Sequence, residues 1–137
     1  MIKQIWINLP VKNVNKSREF FEGIGFKLNT QYGNSENAAS LFVGEKNVVL
    51  MLFPEATFKG FTSNEISDPK NGTEVLFSID AESRQEVDEL ALKVIKAGGI
   101  IYNEPGENQG WMYGFGFIDP DMHRWNVLYM DFSKMPK

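Results

Sequence analysis

The chain has no cysteine and a single histidine. The first absence removes disulfides, thiol nucleophiles and thiolate metal sites together. The second leaves no pair of imidazoles to share a metal, and His123, placed beside a turn, supports no Ser-His-Asp arrangement. Positive charge is also in short supply: 14 Lys and Arg stand against 18 Asp and Glu, for a net charge of −4. A surface of that sign steers in neither nucleic acid nor an anionic membrane, so neither is expected as a partner. No apolar run approaches a membrane span, and the opening MIKQIWIN is too short for the apolar core of a signal peptide. A cytoplasmic location is the expectation. A dinucleotide fingerprint is missing as well. Gly23 and Gly25 have neither a third glycine nor a preceding strand, and read as a helix stop.

What is present is an ordinary folded composition. The 137 residues are 42% hydrophobic and 23% charged, enough to bury a core and too apolar for disorder. Residues 3–11 alternate, with Ile5, Ile7, Leu9 and Val11 on one side and Trp6, Asn8 and Pro10 on the other. Asn13 is placed to cap a helix over residues 15–23, whose apolar positions Val14, Phe20, Phe21 and Ile24 recur at helical spacing. Strands are predicted over residues 26–30, 38–43 and 48–53, the last a continuous apolar run suited to a central strand. Residues 54–72, broken by Pro54, Gly60, Pro69 and Gly72, read as a loosely packed linker with room for one short helix.

The same order then recurs. Residues 74–79 alternate, with Val75, Phe77 and Ile79 opposite Glu74, Leu76 and Ser78. Ser83 followed by Glu86 is a capping box. Val87, Leu90, Ala91 and Val94 make the stripe that buries one helix face, and Gly98 and Gly99 stop the helix. A short strand over 100–103, a loop over 104–109, and strands over 112–118 and 124–130 complete the half. Asp119, Pro120 and Asp121 form the turn between the last two strands, with the aspartates as turn formers. In the final strand Trp125, Val127 and Tyr129 share one face and Arg124, Asn126 and Leu128 the other.

The element order is therefore βαβββ twice, an internal repeat of about 60–70 residues with little identity between halves. The reading is an α+β fold: a first module over 1–53, a linker over 54–72, a second module over 73–132 and a tail over 133–137. Each curved mixed sheet carries one helix. The uncovered faces are predicted to enclose a cleft, within one chain or across a dimer. Strand parity puts Trp6, Asn8, Leu50, Leu52, Glu74, Leu76, Ser78, Arg124 and Asn126 on that lining. Gly110–Gly114 reads as a flap or a bulge, with Trp111 and Tyr113 at the mouth.

Three stretches carry a resemblance: LPVKNVNKSREFFEGIGF (9–26), KAGG (96–99) and FIDPDMHRW (117–125). With them the chain resembles the vicinal oxygen chelate superfamily, which holds glyoxalase I, bleomycin-resistance proteins and extradiol dioxygenases. The resemblance covers essentially the whole chain and implies paired βαβββ modules, and commonly a homodimer. In metal-dependent members it also implies a divalent ion held by a His or Gln, a Glu, a His and a Glu. Those positions fall here on Trp6, near Leu50, on Glu74 and on Asn126. Trp and Leu are not ligands and a neutral amide is a weak one, so no metal, no other cofactor and no glyoxalase I activity are expected.

The leading functional expectation is a metal-free module that binds a small apolar or aromatic molecule. Arg124 and Asn126 are candidates to orient an anionic or carbonyl-bearing ligand, unless Arg124 is neutralised by Glu74 or a turn aspartate. Trp6 is either a stacking surface or a filler of space. No catalytic residue is assigned; Glu74 is the best candidate general base, with simple exposure to water as the alternative. A metal-dependent lyase, isomerase or dioxygenase with an altered ligand set, and a scaffold with a filled cleft, are the competing readings. Met122 stands where relatives usually have glycine. A left-handed residue there costs about 1–2 kcal/mol, which predicts an altered turn or local strain.

Overall fold

The computed structural model describes residues 1–136. The chain forms two compact units, one ending at Asp68 and one beginning at Pro69. The first contains β1 (Trp6–Val11), α1 (Val14–Gly23), β2 (Lys27–Leu28), β3 (Ala39–Val43), β4 (Val48–Pro54) and α2 (Glu55–Thr62). The second contains β5 (Leu76–Asp80), α3 (Arg84–Lys96), β6 (Ile100–Asn108), β7 (Met112–Ile118), β8 (Arg124–Met130) and a 3₁₀ turn, Phe132–Lys134. Strand orders are β1-β4-β3-β2 and β5-β8-β7-β6. In each sheet the first strand runs parallel to its neighbour and the remaining pairs are antiparallel. These are two open mixed sheets of one topology, and the predicted α+β fold with βαβββ order in both halves is what forms.

Local chemistry explains the helix limits. Asn13 accepts the backbone N–H of Lys16 at 3.0 Å and so caps α1. Its C-terminus closes through Gly25, at φ +109°, with Phe26 N–H donating to Phe21 carbonyl and Gly25 N–H to Glu22 carbonyl. The rings of Phe21 and Phe26 then stack at 5.2 Å, the apolar contact that accompanies this type of helix stop. Gly98 does the same for α3, with Gly99 N–H donating to Val94 carbonyl. Ser83 accepts from Glu86 N–H at 3.0 Å as expected, but Glu86 reaches the N–H of Glu82, one residue before the predicted partner.

The cores lie between each sheet and its helix. Val14, Phe20 and Phe21 of α1 are buried with Leu9, Val11, Leu41, Leu50 and Leu52; Val87, Ala91 and Val94 of α3 with Phe115, Phe117, Trp125 and Val127. In the second core Phe77, Trp125 and Phe117 form one cross-strand row, at 4.8 Å and 6.0 Å between ring centroids. Such aromatic pairs contribute about 0.5–1.5 kcal/mol each beyond their buried area.

Several boundaries differ from the sequence reading. The strand predicted over 26–30 shrinks to Lys27–Leu28, because Phe26 is used by the helix stop. The loop predicted over 104–109 is instead the outer part of β6, with register shifts between Ile101 and Asn103 and between Asn103 and Gly106. β6 is an edge strand, where Pro105 removes no ladder hydrogen bond that the sheet needs. The stretch 54–72 contains α2, which packs on β1 and β4. The turn after Asp119 keeps its left-handed residue: Met122 has φ +69°, so strain rather than an altered turn is the outcome. Met122→Gly removes about 1–2 kcal/mol of strain and adds about 0.5–1 kcal/mol of unfolded-state entropy. The variant is expected to unfold at higher urea than the parent. A lower midpoint would show that the Met122 side chain contributes more by packing than its backbone loses.

Candidate functional site

The helix-free face of the second sheet gathers the polar residues. β5 and β8 pair in parallel, with Leu76 opposite Arg124 and Ser78 opposite Asn126. Across β8, Asn126 faces Gly116 and Arg124 faces Ile118. Because side chains alternate along a strand, these residues share the face opposite Trp125 and Val127. The four predicted residues Leu76, Ser78, Arg124 and Asn126 are therefore brought together.

Two residues that the sequence reading missed complete the cluster. The register shift in β6 throws the Tyr102 side chain across Gly116, where an added Cβ would lie 2.4 Å from Tyr102 Cζ. The Arg124 guanidinium carbon sits 4.5 Å from the centroid of the same ring. This cation–π contact, worth about 0.5–1 kcal/mol at an exposed site, is the partner Arg124 has instead of Glu74 or a turn aspartate. Glycine inside a strand signals close approach by another group, and Gly116 carried that signal.

Other predicted lining residues lie elsewhere. Leu50 and Leu52 are fully buried on the helix side, since parallel pairing sets Leu50 opposite Ile7 and Leu52 opposite Leu9. Val49 and Met51 take their places beside Trp6 and Asn8 on the other face. Residues 48–53 are all apolar, so nothing in them marks which parity faces the helix. Trp6 and Asn8 are exposed on their own sheet, and Trp6 Nε1 donates to Tyr32 Oη at 3.1 Å. Tyr32 is carried by a loop fastened through buried Asn29 and Ser40, whose side chains bond at 3.1 Å. Glu74 precedes β5 rather than starting it, and is exposed, as are Ile5 and Val75 before their strands.

Trp111 and Tyr113 do not form a mouth on the open face. The Tyr113 hydroxyl donates to Asp88 of α3 at 2.7 Å, and this bond to a carboxylate holds the phenol above its usual pKa of 10.0. Arg84, paired with Glu107, lies 5.4 Å from the Tyr113 centroid and 5.9 Å from that of Tyr129. Trp111 approaches Phe132 at 6.3 Å, and its buried Nε1 has no acceptor among the described residues. Both side chains thus fasten α3 and the C-terminal turn to the sheet.

Asp119 is a structural carboxylate. Its Oδ1 accepts from the N–H groups of Asp121 and His123 at 2.9 and 3.0 Å, and its Oδ2 from Trp125 Nε1 at 3.0 Å. Burial pushes its pKa above the ordinary 3.8 despite these bonds and the nearby His123. The folded state then holds the proton more tightly than the unfolded chain, so this group's contribution to stability falls as pH rises from about that value. In Asp119→Asn that slope should be missing, which urea unfolding across the acid range measures; an unchanged slope would assign it to other carboxylates.

The donor set implied by the family's metal site does not fit this chain. Trp6 offers no ligand atom, Leu50 is apolar and under the helix, Glu74 lies outside its strand, and Asn126 is a neutral amide. Among the described residues no three His, Asp or Glu side chains are grouped to hold an ion.

Two open four-stranded βαβββ units of common topology define the glyoxalase-type fold. The sequence model of the Glyoxalase/Bleomycin resistance protein/Dioxygenase superfamily matches residues 3–127, and the chain belongs to that superfamily. A hypothetical protein from S. aureus is similar at 31% identity and TM-score 0.81, over 93% of this chain and 94% of that one. A glyoxalase/bleomycin resistance protein/dioxygenase family enzyme from Burkholderia phytofirmans PsJN shares the fold at 17% identity and TM-score 0.77, over 92% and 97%. So does a glyoxalase-related enzyme from Fulvimarina pelagi, at 16% identity and TM-score 0.77, over 93% and 88%. No match was found among curated proteins.

Proposed function

We propose that this protein binds a small, planar, partly apolar molecule on the open face of its second sheet, without the metal that the resemblance implies for metal-dependent members of the superfamily. The observation that carries the reading is the Tyr102 ring held over Gly116 with Arg124 against it. It combines an exposed aromatic surface, a cation, and flanking Leu76 and Asn126 on one rigid sheet, the mixture of apolar surface and few polar groups that small-molecule sites use. The same reading extends to a homodimer in solution, which sedimentation of the intact chain tests.

A thermal-shift screen of planar aromatic compounds, compared between the parent and Gly116→Ala, tests the site. A ligand at about 100 times its Kd stabilises by about 2.7 kcal/mol. Gly116→Ala displaces the Tyr102 ring, an end of a side chain that can swing away, and should cost only about 1 kcal/mol while abolishing the ligand shift. The reading fails if no compound stabilises the parent, or if the shift survives in the variant. Elemental analysis of the purified protein, with added-metal activity assays, addresses an altered metal centre; bound stoichiometric metal would overturn the metal-free reading.

A further inference from the structure

We infer that the Arg124–Tyr102 platform receives the carboxylate of a planar, largely apolar acid. This rests on the small-molecule reading above and adds the ligand's chemical class. Three observations lead there.

The first is the state of Arg124. Ion pairs among the described residues engage Arg18, Lys59 and Arg84, and none engages Arg124. In a chain with 18 acidic residues, its guanidinium is held by an aromatic ring and not by a carboxylate. With its carbon 4.5 Å from the ring centroid, the guanidinium keeps its N–H donors, and no carboxylate among the described residues receives them. Edge donation to two oxygens is the geometry that recognises a carboxylate.

The second is the polar row beside it. Asn126 lies two residues along the same strand, and Ser78 is its partner across the β5–β8 ladder. Neither side chain has a hydrogen-bond partner among the described residues. The two therefore add donors next to the cation without neutralising it.

The third is the surrounding surface. Leu76 is directly opposite Arg124, Leu128 follows Asn126 on the same face, and Gly114 faces Leu128 with no side chain of its own. With Tyr102, these surfaces suit a flat apolar body attached to the charged group. Asp80, opposite Leu128 at the end of β5, shares this face and offsets part of the positive charge, so the one cation there matches at most a monoanion. A phosphate-type dianion needs more positive charge than this face supplies, within a protein whose net charge is already −4.

The test uses calorimetry on the full chain at low salt, with 1-naphthoate, its neutral amide 1-naphthamide, and phenylphosphonate as probes. Naphthoate is expected to bind about tenfold or more tightly than naphthamide, because a charge-assisted pair is replaced by a neutral one. Arg124→Gln should remove that preference, with naphthoate affinity falling to that of naphthamide measured on the same variant. Arg124→Lys, which keeps the charge and loses the fork, should show an intermediate loss. Circular dichroism confirms that each variant is folded. Equal affinity for naphthoate and naphthamide, an undiminished preference in Arg124→Gln, or tighter binding of phenylphosphonate would each overturn the carboxylate assignment and leave the binding surface standing. If neither naphthoate nor naphthamide binds, the carboxylate assignment falls, and the thermal-shift screen decides the small-molecule reading separately.

Discussion

Trp125→Ala is expected to destabilise the protein by about 3–5 kcal/mol, the range for removing a large buried aromatic side chain. Trp125 is 1% exposed and lies between Phe77 and Phe117 in the central row of the second core. Its loss opens a void in that row. It also strips Asp119 Oδ2 of the indole N–H, at a carboxylate only 4% exposed, which adds about 1–3 kcal/mol for an unsatisfied buried acceptor. The two effects separate in Trp125→Phe, which keeps most of the ring contact and loses only the donor. Urea unfolding should place that variant between parent and alanine. An alanine variant within about 1 kcal/mol of the parent would show that the sheet relaxes around the void, contrary to the tight packing of this row.

Gly114→Ala should be nearly as damaging, for a different reason. A Cβ at Gly114 would lie 2.2 Å from the carbonyl oxygen of Val127, an atom of the neighbouring strand's backbone. That atom moves only if the β7–β8 ladder moves, so a cost of about 3 kcal/mol, at the upper end of overpacking effects, is expected. Gly116→Ala meets a contact of 2.4 Å, but with the tip of the Tyr102 ring. One methyl group therefore breaks the sheet at one glycine and displaces the Tyr102 ring at the other. Soluble yield and denaturant midpoints of both variants check this. Similar losses at the two sites would mean that Tyr102 is locked in place rather than able to swing aside.

These two sites also show how much was legible beforehand. Trp125 announced itself, because in residues 124–127 polar and apolar side chains alternate and the period assigns each to a face. The glycine contacts were not assignable. The Tyr102 contact depends on a register shift in β6, and that shift is a property of pairing between strands rather than of any one stretch. Tyr113 shows the same gap. Its place between Gly110 and Gly114 suggested a flap or a bulge, yet a carboxylate on α3, 25 positions away in sequence, fixes it on the helix side.

The sequence by itself determined the element order, the helix caps and stops, and the superfamily. Each of those rests on neighbouring residues or on residue type alone. The tertiary structure decided which face of β4 meets the helix, because an unbroken apolar run has no period to read. It turned Glu74 out of the sheet and Leu50 and Leu52 beneath the helix. It also joined Tyr102 to Arg124 over Gly116, since that contact exists only once β6, β7 and β8 are paired in their particular register.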